Sequence, residues 1–372
     1  MRANACPARS IKKECTITMA KTRVAVIFGG KSNEHDISLI SASNVIANLD
    51  KSKYDIIPIG ITKTGRWFFY PGDVDAIKEN KWETFPDNVP AAILPDPLYR
   101  GIATILDGEI NIVKVDVVFP VLHGKYGEDG TLQGLLDMSG LPYVGCGTFA
   151  SAACMDKEYT HSVLEYNGIK MARYRTVRQH DLSRLDEVID NIVDDLDFPI
   201  FVKPASSGSS VGVNKANSFE ELKNAIKLAF THDKKVIVEE YIKGRELETA
   251  VLGSDNPFAA SVGEIVSCNE FYDYQAKYIL GTSGLNIPAD IPEEKAREIQ
   301  QTAIKAFKAI GCFGLARCDF FLSGDTVYLN EINTMPGFTS ISMYPKLMDH
   351  FGISYPELLD KLIALAYERA QQ

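Results

Sequence analysis

Residues 24–28 form an unbroken apolar run that ends in Gly29-Gly30, and polar positions 31–36 then lead into a helically periodic stretch over 37–49. That succession predicts strand, glycine loop and helix. Further strands are predicted at 55–61 and 115–122, each leading into a loop, as in a parallel, Rossmann-like α/β sheet. A first domain accordingly spans 19–147. Its stretch 71–100, which holds several prolines and few periodic apolar positions, is expected to be irregular. After a helix beginning near Phe149, the pattern becomes that of a smaller α+β unit over 148–239, with strands at 200–202 and 236–238 and a helix over 218–230. Ser218 and Glu221 have the spacing of a capping box, while Phe219, Leu222, Ile226 and Phe230 recur as core positions. The remainder, 240–372, contains a helix over 293–310 closed by Gly311 and two strands at 316–322 and 327–333.

Composition narrows the function classes. At 372 residues the chain exceeds the usual reach of one hydrophobic core, so two or three domains with a cleft between them are expected. A formal charge of −10 disfavours general attraction to nucleic acid or to an anionic membrane. The seven cysteines lack CxxC or Cys/His ligand spacing, which argues against a disulfide framework or structural zinc and fits a reducing cytoplasm. No apolar run reaches the roughly 18 residues of a membrane-spanning helix. Residues 1–18 carry Arg2, Arg9, Lys12 and Lys13 without an apolar core, and read as a disordered extension ahead of Met19.

Candidate chemistry concentrates at the two last strands. Joined by Ser323-Gly324-Asp325, with the turn centred on Asp325, they place Asp319 opposite Glu331 on one face. Alternation adds Arg317 and Asn333 to that face and turns Cys318 to the other, into the core. Oxygen donors so grouped suit Mg²⁺ shared with phosphates, and equally suit a solvated hairpin in which Arg317 neutralises the acids. The loop 204–212, with Ser209 and Ser210, could fold over phosphates, although it lacks a Walker A spacing. Lys203, at the end of an apolar strand, needs an anionic partner that a triphosphate would supply. His123 opens a loop dense in charged residues at a strand's carboxyl end, and Glu34 lies in the glycine loop; each suits either a site or a structural role.

Taken together, several ordered motifs resemble the D-alanine–D-alanine ligase family, a branch of the ATP-grasp enzymes. They are residues 26–30 with Glu34 and Ser38, His123-Gly124 with 127–134, Cys154 to Lys157, Lys203-Pro204 with 208–212, Glu246, 272–278 and 331–340. The resemblance runs from Lys21 to Glu368. It implies three domains, with ATP held between the central and C-terminal ones, and condensation of two D-alanines through an acyl phosphate. Lys157, Lys203 and the loop serines Ser209 and Ser210 would hold phosphates, with Glu239 and Glu246 toward adenine and ribose. Asp319, Glu331 and Asn333 would ligate two Mg²⁺ ions, with Mn²⁺ an alternative metal. Glu34 and His123 would serve the first substrate, Lys277 and Ser342 the second one's carboxylate, and Arg317 with the Gly337 amide the tetrahedral oxyanion. Ser209 and Tyr278 would link the phosphate loop to a lid over 272–284. The family also implies a homodimer and a place in cell-wall precursor synthesis. Related ligases that form D-alanyl-D-serine or D-alanyl-D-lactate are the alternative; the depsipeptide-forming members place a histidine where this chain has Lys277.

Overall fold

The computed structural model describes residues 20–208, 211–266 and 284–371. The extension 1–18, the loop residues Ser209 and Ser210, and the lid residues Lys277 and Tyr278 lie outside the described residues.

The first sheet has seven strands: β1 (Thr22–Gly29), β2 (Tyr54–Ile61), β3 (Trp67–Phe69), β4 (Val89–Ile93), β5 (Gly101–Leu106), β6 (Glu109–Lys114) and β7 (Val117–Pro120), in the order β6-β5-β4-β3-β2-β1-β7. Only β2, β1 and β7 run parallel. The remaining strands pair antiparallel, so the expected parallel sheet holds for three strands and is extended by a meander. The stretch 71–100 is not irregular, since it carries the short helix α2 (Val74–Lys78) and β4. The β5–β6 hairpin turns at Asp107-Gly108, both with positive φ, a pair suited to a two-residue turn.

The apolar run of β1 is continuous because both its faces are covered. On one side Val24, Val26 and Phe28 pack with Leu39 and Ile46 of α1 (His35–Asn48). On the other, Ala25 and Ile27 meet Leu132 and Leu136 of α3 (Thr131–Ser139). Two further helices, α4 (Thr148–Met155) and α5 (Lys157–Tyr166), lead to a four-stranded sheet of β8 (Tyr174–Arg178), β9 (Ile200–Pro204), β10 (Asn214–Ala216) and β11 (Lys235–Glu240). It is backed by α6 (Leu185–Val193) and α7 (Phe219–Ala229). Ser218 caps α7 by accepting the Glu221 N–H, but the Glu221 carboxylate accepts from Asn217, so the box is only half reciprocal.

A five-stranded sheet, β14-β13-β12-β15-β16, completes the structure with β12 (Arg245–Gly253), β13 (Phe258–Val266), β14 (Gly284–Asn286), β15 (Gly314–Ser323) and β16 (Thr326–Asn333). The helix α8 (Glu293–Ala309) packs Ile299, Ala303 and Phe307 against one of its faces. The last helices, α9 (Met343–Phe351) and α10 (Tyr355–Arg369), join the first sheet's core through Tyr344, Leu347, Leu358 and Leu362. Among the described residues, no helix is long and apolar enough to cross a membrane.

The glycine loop is fixed by close backbone approach. Gly29 has φ +88°, and a Cβ there would lie 2.2 Å from the Ile61 carbonyl oxygen. Its N–H donates to Ser38 Oγ at 2.8 Å, and that hydroxyl donates to the Val121 carbonyl, tying α1 to the end of β7. Gly29→Ala therefore combines a left-handed backbone with a clash against an immobile carbonyl. It is expected to lower stability by about 3 kcal/mol, read as a lower urea midpoint at unchanged m-value.

Candidate active site

The candidate site's face is built by sheet register. Gly324-Asp325 makes a two-residue turn with Ser323 opposite Thr326, and pairing proceeds to Phe320 opposite Leu329. There the register shifts: Asn330 is the extra residue of a bulge, after which Asp319 faces Glu331 and Arg317 faces Asn333. The expected pairing is present, but the turn lies half a residue earlier than expected and the bulge makes up the difference. Without it, the period of two would send Glu331 and Asn333 to the opposite face.

On its other edge β15 pairs with β12, where Glu248 lies opposite Asp319. Glu248, Asp319 and Glu331 thus form a row of three carboxylates across three strands. Glu248 was not anticipated; its alternation with Glu246 on one strand was the available signal. The guanidinium of Arg317 compensates the row. Its Nε and Nη2 donate to Asp319 at 2.7 and 2.6 Å, and Nε lies 2.9 Å from Glu248 Oε2. Asn333 Nδ2 donates to Asp319 Oδ2 at 3.0 Å. Cys318 is fully buried on the opposite face, as expected.

Among the described residues, no group of three or more His, Cys, Asp or Glu is arranged to enclose a metal. The set formed by Asp319, Glu331 and Asn333 is two carboxylates and an amide, all hard oxygen donors. It fits Mg²⁺ of the kind that takes one or two protein carboxylates and completes its shell with phosphate and water.

Facing this row are two lysines from the preceding unit. Lys203 on β9 already has an anionic partner, Glu239 on β11, at 2.5 Å, and reaches the bulge residue Asn330 at 3.4 Å. His161 Nε2 lies 3.1 Å from the other Glu239 oxygen. Burial raises the Glu239 carboxyl, but Lys203 and then His161 outweigh it and hold the group well below the usual carboxylate range. Lys157, at the start of α5, donates to the Ser207 carbonyl at 2.9 Å, and its backbone N–H to Ala205 at 3.0 Å, so α5 carries the phosphate-loop candidate. Burial pushes the Lys157 ammonium down, against the opposing charge of Glu331. Glu246 is half-buried on β12, on the face of Glu248.

At the third corner, Glu34 precedes α1 in a crowded junction. A Cβ on Gly124 or Gly208 would lie 2.5 or 2.9 Å from Glu34 Oε2, so glycine at both positions admits the carboxylate. Glu128, given no role above, is pushed well above the usual carboxylate range, chiefly by burial and then by Glu34. A cavity of roughly 260 Å³, large enough for a small amino acid, opens here between Glu34, Lys125, Ser207, Gly208 and His232. The His123 ring is buried, with Nδ1 3.0 Å from the Met335 carbonyl and Nε2 3.1 Å from Ser41 Oγ. Ser342 Oγ accepts the Thr339 N–H at 2.9 Å, and a Cβ on Gly337 would lie 2.7 Å from it. Gly208 against Glu34, and the Lys157 bond to the neighbouring Ser207 carbonyl, join this junction to the phosphate-loop candidate.

A mixed α/β sheet followed by two smaller sheets, with lysines facing a row of acids, defines the ATP-grasp fold. Residues 23–146 match the family model described as D-ala D-ala ligase N-terminus, and residues 163–364 that described as D-ala D-ala ligase C-terminus. The D-alanine–D-alanine ligase of Acetivibrio thermocellus is 50% identical, covering 94% of this chain and 96% of its own. That of Caldicellulosiruptor bescii is 48% identical, covering 95% and 97%. Among solved structures, the VanG D-Ala:D-Ser ligase from Enterococcus faecalis superposes with a TM-score of 0.86 at 43% identity, covering 93% of this chain and 100% of that one. The D-alanine-D-alanine ligase from Coxiella burnetii gives 0.83 at 36%, covering 94% and 95%. The chain belongs to the D-alanine–D-alanine ligase family.

The buried pair generates a stability prediction. Glu239→Gln leaves Lys203 without its counter-charge and is expected to cost about 3 kcal/mol in the absence of nucleotide. Because the folded state depresses the Glu239 carboxyl, its contribution is present above the unfolded value near pH 4 and is lost as pH falls below it. Denaturant titrations should therefore show a shallower acid limb for the variant than for the parent.

Proposed function

We propose that the chain condenses two D-alanines at the expense of ATP, through D-alanyl phosphate, to supply peptidoglycan precursors in the cytoplasm. The observation that carries this reading is the Glu248–Asp319–Glu331 row with Arg317 bonded to Asp319 and Glu248, faced by Lys157 and Lys203. A carboxylate is a poor electrophile, so the first step transfers the γ-phosphoryl group to the first D-alanine. Mg²⁺ on Asp319, Glu331 and Asn333, or Mn²⁺ with the same oxygen preference, would offset the charge of the transferring group. Lys203 donates to Glu239 and Asn330, which leaves a third proton for a phosphate oxygen. Lys157 and the hydroxyls of Ser209 and Ser210 complete the phosphate cradle, with Glu239 at the adenine end and Glu246 at the ribose.

Glu34 takes the ammonium of the first D-alanine. The amine of the second D-alanine then attacks the acyl carbon, and phosphate leaves. Negative charge on the carbonyl oxygen develops between Arg317 and the Gly337 amide, donors fixed before the charge appears. Lys277 and Ser342 would hold the second carboxylate, and Ser209 and Tyr278 would serve the closure that keeps water from the acyl phosphate. The working unit is a homodimer.

A second reading, D-serine as second substrate, is favoured by the 43% identity to the Enterococcus D-Ala:D-Ser ligase. Phosphate release with paired D-alanine, D-serine and D-lactate separates the readings. We expect the D-alanine pair to be fastest; no release with any pair would refute the ligase assignment. Glu331→Gln should keep its melting temperature and lose at least about a hundredfold in turnover, since removing electrostatic stabilisation of this kind costs that much. Near-normal turnover would remove Glu331 from the metal site. Lys277→His should raise the ratio of ester to amide when D-lactate competes with D-alanine between about pH 6 and 9, the range where amine and imidazole titrate. An unchanged product ratio would remove Lys277 as the selector.

A further inference from the structure

The segment Met335-Pro336-Gly337-Phe338 is tied at both ends to one buried pair of side chains. Ser41, on α1, is fully buried, and its Oγ accepts the Phe338 N–H at 3.2 Å. The same oxygen lies 3.1 Å from His123 Nε2, and His123 Nδ1 lies 3.0 Å from the Met335 carbonyl. A carbonyl can only accept, so Nδ1 carries the proton and Nε2 is the lone pair that receives the Ser41 hydroxyl proton. Every link is then directional: Phe338 N–H to Ser41, Ser41 O–H to His123, His123 N–H to Met335. The far side of the segment is held by Tyr355, whose hydroxyl donates to the Phe338 carbonyl at 2.7 Å.

Inside this loop Pro336 has no N–H to offer. Among the described residues the half-buried Gly337 N–H has no hydrogen-bond partner, while the groups on either side of it are bound. The ring of His123 has also spent both nitrogens, which leaves it no polar atom for substrate.

We propose that Ser41 is a positioning residue, which acts with His123 to aim the Gly337 amide at the developing oxyanion. This rests on the reading of Gly337 as an oxyanion donor. His123 is then a positioning residue as well, and not a direct substrate contact. Small displacements of such a donor are costly because its strength depends on being in place before charge develops.

The test is a double-mutant cycle on the full chain. Ser41→Ala and His123→Leu should each lower kcat for dipeptide by roughly ten- to a hundredfold, with the KM for ATP within about twofold. The double variant should be no slower than the worse single, because both break one chain of bonds. Phosphate released per dipeptide should rise above one in both, as water outruns an amine attack that has slowed. Ser41→Thr keeps the hydroxyl and should recover most of the loss, and His123→Gln, which can donate and accept in place of the ring, should lose less than His123→Leu. Multiplying losses in the double variant, or a loss confined to the D-alanine KM at His123, would overturn the proposal in favour of direct substrate contact. Arg317→Met separates the underlying reading. If it slows dipeptide formation while Ser41→Ala does not, the positioning role fails alone; if neither slows it, the oxyanion reading itself has failed.

Discussion

Three carboxylates in one row of a β-sheet repel one another, and the site depends on how that repulsion is managed. The Arg317 guanidinium, planar and always charged, is shared between Asp319 and Glu248 and makes the row tolerable before any metal or nucleotide arrives. Glu331, the third member of the row, also interacts with the charge of Lys157 at the start of α5. The two lysines facing the row are likewise oriented in advance, Lys203 by Glu239 and Lys157 by the Ser207 carbonyl.

The row exists only because β16 contains one residue more than its partner. The Asn330 bulge turns Glu331 and Asn333 onto the candidate site's face, and its own side chain reaches Lys203 in the other sheet. One irregularity thus groups the candidate metal ligands and meets Lys203. On the opposite wall, Glu34 just ahead of α1 and Ser38 and Ser41 within it follow at helical spacing, so that one segment carries the Glu34 carboxylate, the anchor of the glycine loop and the anchor of the Gly337 segment.

Much of this was legible in the order of residues. The apolar run 24–28 with its glycines, the periodicity of α7 and α8, and the carboxylate pair on β15 and β16 rest on local patterns, which a single sequence records. Less legible was whatever depends on a partner distant along the chain. Pairing Glu248 with Asp319 requires knowing that β12 lies beside β15, and the partnership of Ser41 with His123 and Phe338 spans three segments. Likewise Lys203 looked in need of a phosphate because Glu239 is thirty-six residues away. The antiparallel meander β3–β6 was missed for another reason: its strands are short and partly exposed, with a weak apolar alternation, although the Asp107-Gly108 turn was there to be read.

The sharing of one core between the first sheet and the last helices bears on the order in which the chain can be assembled. Val24, Phe28 and Leu39 pack with Leu358, Leu359 and Leu362, and Arg369 donates to the Tyr143 and Gly145 carbonyls where the first domain ends. As the chain leaves the ribosome, the first domain therefore emerges with an apolar face whose cover is encoded at the other terminus. That face lacks this cover until both later sheets have been made. The face is completed only when α10 has been made and closes over it, and until then it is apolar surface open to misassociation.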